Sequence, residues 1–457
     1  MVHSSMAAGP QDTGATLRAA VAAWLDTGSC APLDAAGAGR PCGVVLLSGT
    51  LDGREVLVAA VDPGSARGAL GAGEAGVLRT VFQQARSRKL PLVLWLDSSG
   101  ARLDQGLHAL AAFRPLYRAA LFARAAGVPM VALVGSVCFG GASMLACLAH
   151  RRIYHEQSLL GMSGPAIVAA LDPAAQFDPR DRAATAALFG AAARCEQDAR
   201  ATIGAATPEA IRVALLEALA GLESPAAWTF EADHRMLLAR LEKAGLEIPR
   251  SPRPPDPALK RRLDALFEGG FETLLGDGVL RGVRVRDGRE ISVAGLVGGA
   301  PLTALAAWMV AESIATAVKA RPDRPVAVFY DSPGHAPTRA DEALTLSAYV
   351  AHLAQAVAWA GSRGVPVTLW ILGEASGGGY VALAAAAQRI YALPGADIRV
   401  LPRAAVARVL AKALPEPGPN SADWVGSGVA DDILGSDRWP EDATAFWAPP
   451  PALGVAD

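Results

Sequence analysis

The amino-acid sequence predicts an α/β fold built as two like halves, and three observations carry that prediction. Short apolar runs alternate with helical stretches along the chain. One block of sequence, with its glycine pair, returns 237 residues later. A proline-dense stretch lies between the two copies.

The elements follow in order. Thr16 to Leu25 reads as a short amphipathic helix. Val44 to Ser48 and Val56 to Val61 are apolar runs separated by Asp52-Gly53, a hairpin turn. A glycine-rich segment, Gly64 to Gly76, leads into a helix ending near Arg88. Leu90 to Leu96 is continuously apolar, as a strand buried on both faces would be. The next helical region contains Pro115, which is expected to kink or split it. Met130 to Val134 is a second buried strand, Ser143 to His150 a helix, and Arg152 to Tyr154 a short strand.

Leu246 to Pro257 holds five prolines and four charges, which neither helix nor strand can continue, so it is read as a linker between domains 1–245 and 258–457. The second domain opens on a helix, Ala258 to Phe267. A hairpin, Gly282 to Val293, turns at Asp287-Gly288, and a long helix covers Ala304 to Ala320. The hairpin entering each half makes each sheet mixed. The tail after Trp439 is rich in Pro and Ala and is expected to be poorly ordered.

The repeat is specific. Gly127-Val-Pro-Met-Val-Ala-Leu-Val-Gly-Ser-Val-Cys-Phe-Gly140-Gly141 returns as Gly364-Val-Pro-Val-Thr-Leu-Trp-Ile-Leu-Gly-Glu-Ala-Ser-Gly377-Gly378, each followed by an Ala-rich run and Arg-Ile-Tyr. Upstream, Leu92 to Gly100 echoes Val326 to Gly334 at an offset of 234. Two such halves suggest one active site shared between them.

Composition narrows the class. Hydrophobic residues make up 52 % and charged residues 19 % of 457 residues, a globular composition with room for two or three domains. A net charge of −2 argues against a nucleic-acid partner. No apolar run of ~18–20 residues indicates a membrane span, and Met1 to Thr13 lacks the pattern of a signal peptide. The five cysteines form no Cys-x-x-Cys pair, which fits a reducing cytoplasm.

Phe139-Gly140-Gly141 and Ser376-Gly377-Gly378 each join a buried strand to a helix. A helix start presents unpaired N–H groups and the positive end of the dipole. Glycines without Cβ atoms let a ligand oxygen approach those donors. This is oxyanion-hole chemistry, each donor being worth roughly 3–4 kcal/mol of barrier. Two such turns would let one pocket hold two negative centres, such as a thioester enolate and a carboxylate. Close helix–strand packing, copied by duplication, is the competing explanation. Gly71-Ala-Gly73-Glu-Ala-Gly76 matches a dinucleotide-binding pattern with Asp97 downstream, but it does not follow its strand directly. No G-x-S-x-G nucleophile elbow occurs. Cys138 is either a thiol at a helix start or a buried inert cysteine.

At these residues the chain resembles the carboxyltransferase branch of the crotonase-like superfamily. Asp97-Ser-Ser-Gly100-Ala-Arg102-Leu is similar to that branch's D-S-G-G-A-R-L segment. The biotin-independent malonate decarboxylase resembles it more closely. Its beta subunit resembles residues ~15–245 through Cys138-Phe-Gly-Gly141, Leu160-Gly-Met-Ser163-Gly164-Pro165 and Asp178-Pro-Arg-Asp-Arg182. Its gamma subunit resembles residues ~258–435 through Asp331-Ser-Pro-Gly334, Gly373-Glu-Ala-Ser-Gly377 and Ala392-Leu-Pro-Gly-Ala396. The resemblance implies two tandem crotonase-like domains, a fusion of the two subunits, and loss of CO2 from a malonyl thioester through an enolate. It implies a phosphopantetheine or CoA-type thioester as substrate carrier, with no tightly bound cofactor and no metal. Partners would be an acyl carrier protein or CoA thioester, an acyltransferase subunit and a second copy of the chain. Gly140 and Gly141 would hold one thioester or enolate oxygen, and Gly377 and Gly378 the departing carboxylate or CO2. The chain departs from the family pattern at Ser99, at Ser143, at Gly378 and in the Gly64 to Gly76 loop.

Other side chains carry two readings each. His335 would protonate the enolate or face solvent from its loop. Ser376 belongs to the second glycine turn and is a catalytic candidate with it. Tyr380 faces the pocket or packs in the core. Arg102 meets cofactor phosphates or a substrate carboxylate, or makes a structural ion pair. Asp97 and Asp331 end their strands, where such residues commonly cap the next turn. Phe139, Gly100, Ser163 and Gly164 would line the substrate path. The sequence thus points to a malonyl-thioester decarboxylase. Two alternatives are a biotin-dependent acyl-CoA carboxyltransferase and a non-catalytic scaffold that binds an acyl carrier protein.

Overall fold

The structure is a computed structural model that describes residues 13–33, 42–222, 229–249, 251–264, 267, 274–276, 278–286, 288–393, 396–401 and 421–433. The expected tail after Trp439 lies outside the described residues, as does most of Met1 to Thr13.

The first half folds around one sheet. Its strands are β1 (Ala31–Pro32), β2 (Val44–Leu51), β3 (Arg54–Val61), β4 (Leu92–Ser98), β5 (Met130–Phe139), β6 (Arg151–His155), β7 (Leu159–Gly161) and β8 (Ala201–Gly204). Their order is β1-β2-β3-β4-β5-β6-β8, with β7 paired to the end of β5. The second half repeats this plan with β9 (Pro252–Arg253), β10 (Leu274–Leu275), β11 (Val279–Arg286), β12 (Arg289–Leu296), β13 (Val326–Ser332), β14 (Val367–Ser376), β15 (Arg389–Ala392), β16 (Asp397–Arg399) and β17 (Asp432–Ile433). Its order is β17-β15-β14-β13-β12-β11-β10-β9, and β16 pairs with β14 as β7 does with β5.

Each sheet begins in an antiparallel hairpin and continues in parallel. Asp52 and Gly53 turn the first hairpin with φ of 52° and 74°, the left-handed pair that a two-residue turn demands. The second pairs Arg286 with Arg289, and it is longer at both ends than the expected Gly282 to Val293. The central parallel pairs share a register fault. Between β4 and β5 the register shifts between Leu96 and Ser98; between β13 and β14 it shifts between Tyr330 and Ser332. These bulges bend β5 and β14 just before their glycine turns.

Strand periodicity sorts side chains to two faces. Leu92, Leu94 and Leu96 of β4 join a core that also takes Val326, Val328 and Tyr330 of β13. Val93 faces an outer cluster with Trp24 and Leu215, and Ala327 and Phe329 face another with Leu259 and Trp370. One apolar interior thus runs through both halves. The helices that fill it include Leu107–Ala125, Gly141–Leu148, Ala304–Ala320 and Leu346–Ser362.

Three expectations need correction. The helix Leu107–Ala125 runs on through Pro115 instead of splitting there. The proline-dense stretch is not wholly irregular, since Pro252 and Arg253 pair with Leu275 and Leu274, and a helix spans Pro257–Asp264. The Gly71–Gly76 run opens the helix Ala72–Arg88, with the Glu74 carboxylate accepting the Gly71 N–H at 2.9 Å. Among the described residues, no helix is long and apolar enough to cross a membrane.

Candidate active site

The two glycine turns are built alike. Gly140 and Gly377 have φ of 58° and 55°, and the helices Gly141–Leu148 and Gly377–Ala384 start beside them. A side chain at either position would strain the backbone. Beneath each turn an aspartate holds the bulge. Asp97 accepts from the Ser136 and Val137 N–H groups at 2.9 and 3.3 Å, and Asp331 accepts from Glu374 N–H at 3.0 Å. Beside each turn a serine hydroxyl accepts a glycine N–H, Ser98 from Gly100 and Ser332 from Gly334, both at 3.2 Å. Asp97 and Asp331 are therefore turn-holding groups.

Both turns open on one cavity of about 880 Å³. Phe139, Gly140, Gly141, Gly100, Arg102, Ser163 and Gly164 reach it from the first half, and His335, Gly377 and Gly378 from the second. Among the described residues, neither N-cap residue of the two glycine helices makes a side-chain cap bond. The donors are not all equivalent. The Gly140 N–H is spent on the Gly161 carbonyl at 3.2 Å. Gly141, as the first helical residue, has an N–H with no intrahelical acceptor. Of the first pair, Gly141 is the better donor to a ligand, which narrows the expectation that Gly140 and Gly141 act together. Tyr117, unnoticed in the sequence, donates its hydroxyl to the Gly141 carbonyl and fixes that first turn.

Ser376 and Tyr380 stand apart from the cavity. Ser376 is fully buried and donates to the Pro333 carbonyl, locking the loop that carries Gly334. Its proton is committed within the fold, which corrects its expected catalytic role. Tyr380 is also fully buried and donates to the Val429 carbonyl at 2.5 Å, which makes it a core residue. Cys138 is buried among apolar neighbours, and burial pushes its thiol well above the usual range. This is the inert reading of that residue. Arg102 is paired with Asp104 at 3.1 Å at the cavity's rim.

His335 is not a solvent-facing loop residue. It is 9 % exposed, and its Nε2 lies 3.0 Å from the Ser163 Oγ. Its Nδ1 is buried and has no hydrogen-bond partner among the described residues. Burial pushes the imidazole down to about 4, so it is neutral at pH 7. Ser163 is held in turn by Glu342, a residue that sequence reasoning passed over. The Glu342 carboxylate accepts the Met162 and Ser163 N–H groups at 3.1 and 2.6 Å. Burial raises its pKa to about 7, against the opposing pull of Arg194. Arg194 donates to the Glu342 carbonyl and to Thr345 Oγ1, both at 2.8 Å. No local pattern marks Glu342, because its partners are 179 and 180 residues away.

Two departures from the family pattern have physical reasons. The Ser143 hydroxyl donates to the Gly140 carbonyl at 2.7 Å and meets the Ser347 hydroxyl of the other half at 2.7 Å. A Cβ on Gly378 would stand 2.2 Å from Met162 Cε and 3.1 Å from Met144 Sδ, so glycine there leaves room for two methionines.

Residues 299–417 match the malonate decarboxylase gamma subunit family, and residues 27–185 match the carboxyl transferase domain family. The acetyl-coenzyme A carboxylase carboxyl transferase subunit beta of Brucella anthropi is 30 % identical over 121 residues, which are 26 % of this chain and 40 % of that protein. The methylmalonyl-CoA carboxyltransferase 12S subunit of Propionibacterium freudenreichii subsp. shermanii is 28 % identical over 127 residues, 28 % of this chain and 24 % of that protein. The chain therefore spans less than half the length of these relatives. A solved Pseudomonas malonate decarboxylase hetero-tetramer in complex with malonate is 26 % identical, covering 45 % of this chain and 81 % of that one with a TM-score of 0.41. The chain thus resembles a fused carboxyltransferase-like protein, its first part matching the carboxyl transferase domain and its second the malonate decarboxylase gamma subunit.

Proposed function

We propose that the chain removes CO2 from a malonyl thioester, carried on CoA or on an acyl carrier protein, and leaves the acetyl thioester. The observation that carries this reading is the convergence of both glycine turns on one cavity. Loss of CO2 moves negative charge from the carboxylate into the thioester as an enolate. A mostly apolar cavity disfavours the localised carboxylate, while fixed N–H donors favour the charge where it arrives. Gly141 and the helix start at Gly377 and Gly378 are the donors for those two centres. A neutral His335 beside them supplies no fixed positive charge to hold the carboxylate back, and it can serve in protonation of the enolate.

The curated relatives favour a second reading, a carboxyltransferase that moves the carboxyl group instead of releasing it. One assay separates the two. The purified chain is given malonyl-CoA or a malonyl carrier protein, with and without biotin, and CO2 and acetyl thioester are measured. Release that does not depend on biotin supports the decarboxylase. Turnover only with biotin supports the transferase, and no turnover with any of these substrates leaves a binding subunit.

A further inference from the structure

The cavity is lined by a repeat, but its polar equipment is not repeated. Leu302 bridges to His335 as Leu70 bridges to Ala101, so Ala101 occupies the place of His335 in the first half. Ser163 follows β7 by two residues, and Leu401 follows β16 by two. Ala101 and Leu401 line the same cavity and offer no proton. Duplication has thus left two glycine turns and a single hydroxyl–imidazole pair, made from one residue of each half.

We propose that Ser163 and His335 together deliver the proton that replaces CO2, and that Glu342 is the positioning residue that sets Ser163 in place. This rests on the enolate chemistry argued above. The Ser163 Oγ and His335 Nε2 are already in hydrogen-bond contact at 3.0 Å. Both residues are buried and line the cavity. The Met162 and Ser163 N–H groups both donate to the Glu342 carboxylate, so the backbone that carries the hydroxyl is held in place. His335 and Glu342 belong to one short segment of the second half, so the imidazole and the clamp are placed together. Unionised, the pair makes no ion pair with a substrate carboxylate.

The step balances as follows. The enolate's electron pair takes the Ser163 hydroxyl proton and forms the new C–H bond. Ser163 Oγ takes the proton of His335 Nε2 as one proton from solvent enters the ring, so the imidazole stays neutral throughout. The net reaction consumes one proton for each CO2 lost. Run backwards on the product, the same pair exchanges the methyl protons of an acetyl thioester.

Exchange into acetyl-CoA and acetyl-pantetheine in D2O, followed by mass spectrometry, tests the pair without requiring decarboxylation. The full-length chain is expected to load deuterium into the methyl group. Ser163→Ala and His335→Ala should slow this at least 30-fold with little change in KM, and Ser163→Thr should restore part of it. Glu342→Gln, whose amide nitrogen cannot accept an N–H, should keep a native circular-dichroism spectrum and slow exchange about tenfold in kcat with little change in KM. Wild-type exchange rates in Ser163→Ala overturn the proposal. CO2 release without any exchange overturns it too, and leaves the decarboxylase reading standing. Ser163-dependent exchange without CO2 release from malonyl-CoA supports the pair and overturns the decarboxylase instead.

Discussion

Gly141 and Gly378 occupy equivalent places, yet a side chain would meet different surroundings. A Cβ on Gly141 finds only the Tyr117 hydroxyl, at 3.5 Å, whereas one on Gly378 collides with Met162. Gly141→Val should therefore fold with a near-native thermal midpoint and lose about 100-fold in turnover, the worth of one oxyanion donor. Gly378→Val should lose activity and also about 1–3 kcal/mol of stability through overpacking. Equal midpoints for the two variants would refute this difference. His335 makes a separate prediction about pH. Its folded pKa is depressed from 6.5 to about 4, so between those values the unfolded chain binds more protons. Stability from this residue is present above pH 6.5 and is lost as pH falls towards 4, by about 3 kcal/mol in all. Glu342 has the opposite sign, because its folded pKa is raised to about 7 and its contribution falls as pH rises. Comparing His335→Gln with wild type cancels the Glu342 effect. Urea midpoints of the variant should decline less steeply than those of wild type from pH 6.5 to 4.5; parallel declines would contradict the assignment.

At the level of elements, what repeated or alternated in the sequence was legible. The helix Ala304–Ala320 has the bounds its composition predicts, and the Asp52-Gly53 hairpin follows from turn chemistry alone. The glycine turns could be placed because both copies carry the same strand, turn and helix. The Ser163–His335 pair could not be, since 172 residues separate its members and neither half contains both. Ser376 misled because its neighbours suggested a catalytic turn, while only the folded chain shows the Pro333 carbonyl that takes its proton. A place at a strand end predicts that Asp97 and Asp331 cap the next turn, but they anchor the bend of the neighbouring strand instead, and this yields a test. Asp97→Ala removes the acceptor for two backbone N–H groups next to β5's bend. It should cost about 1–3 kcal/mol in denaturant unfolding. It should also lower turnover, because the same bend aims Gly141 at the cavity. A variant with native stability would show that the bulge needs no such anchor.

The molecule as a whole is tied together by its chemistry as well as by its core. Hydrogen bonds and an ion pair cross between the halves. Arg114 forks onto Asp431 at 3.0 and 3.1 Å, and Tyr349 donates to the Leu237 carbonyl at 3.0 Å. Trp308 donates to the His234 carbonyl at 3.1 Å, in addition to the Glu342 and Ser163 contacts. A single apolar cluster contains Leu116 and Met144 from the first half with Leu346, Val350 and Val381 from the second. Separating the halves would expose that apolar surface and break the hydrogen bonds that Glu342 and Arg194 make across it, a loss that opposes dissociation. The covalent link between residues 246 and 256 is then not what joins the two units. A protease site inserted between Leu246 and Pro249 should, once cut, give two fragments that elute as one particle in size exclusion. The nicked protein should unfold in one cooperative step and keep its exchange activity, because no cavity residue lies on the cut stretch. Fragments that separate under native conditions would mean that the linker, rather than the shared interior, brings the two glycine turns together.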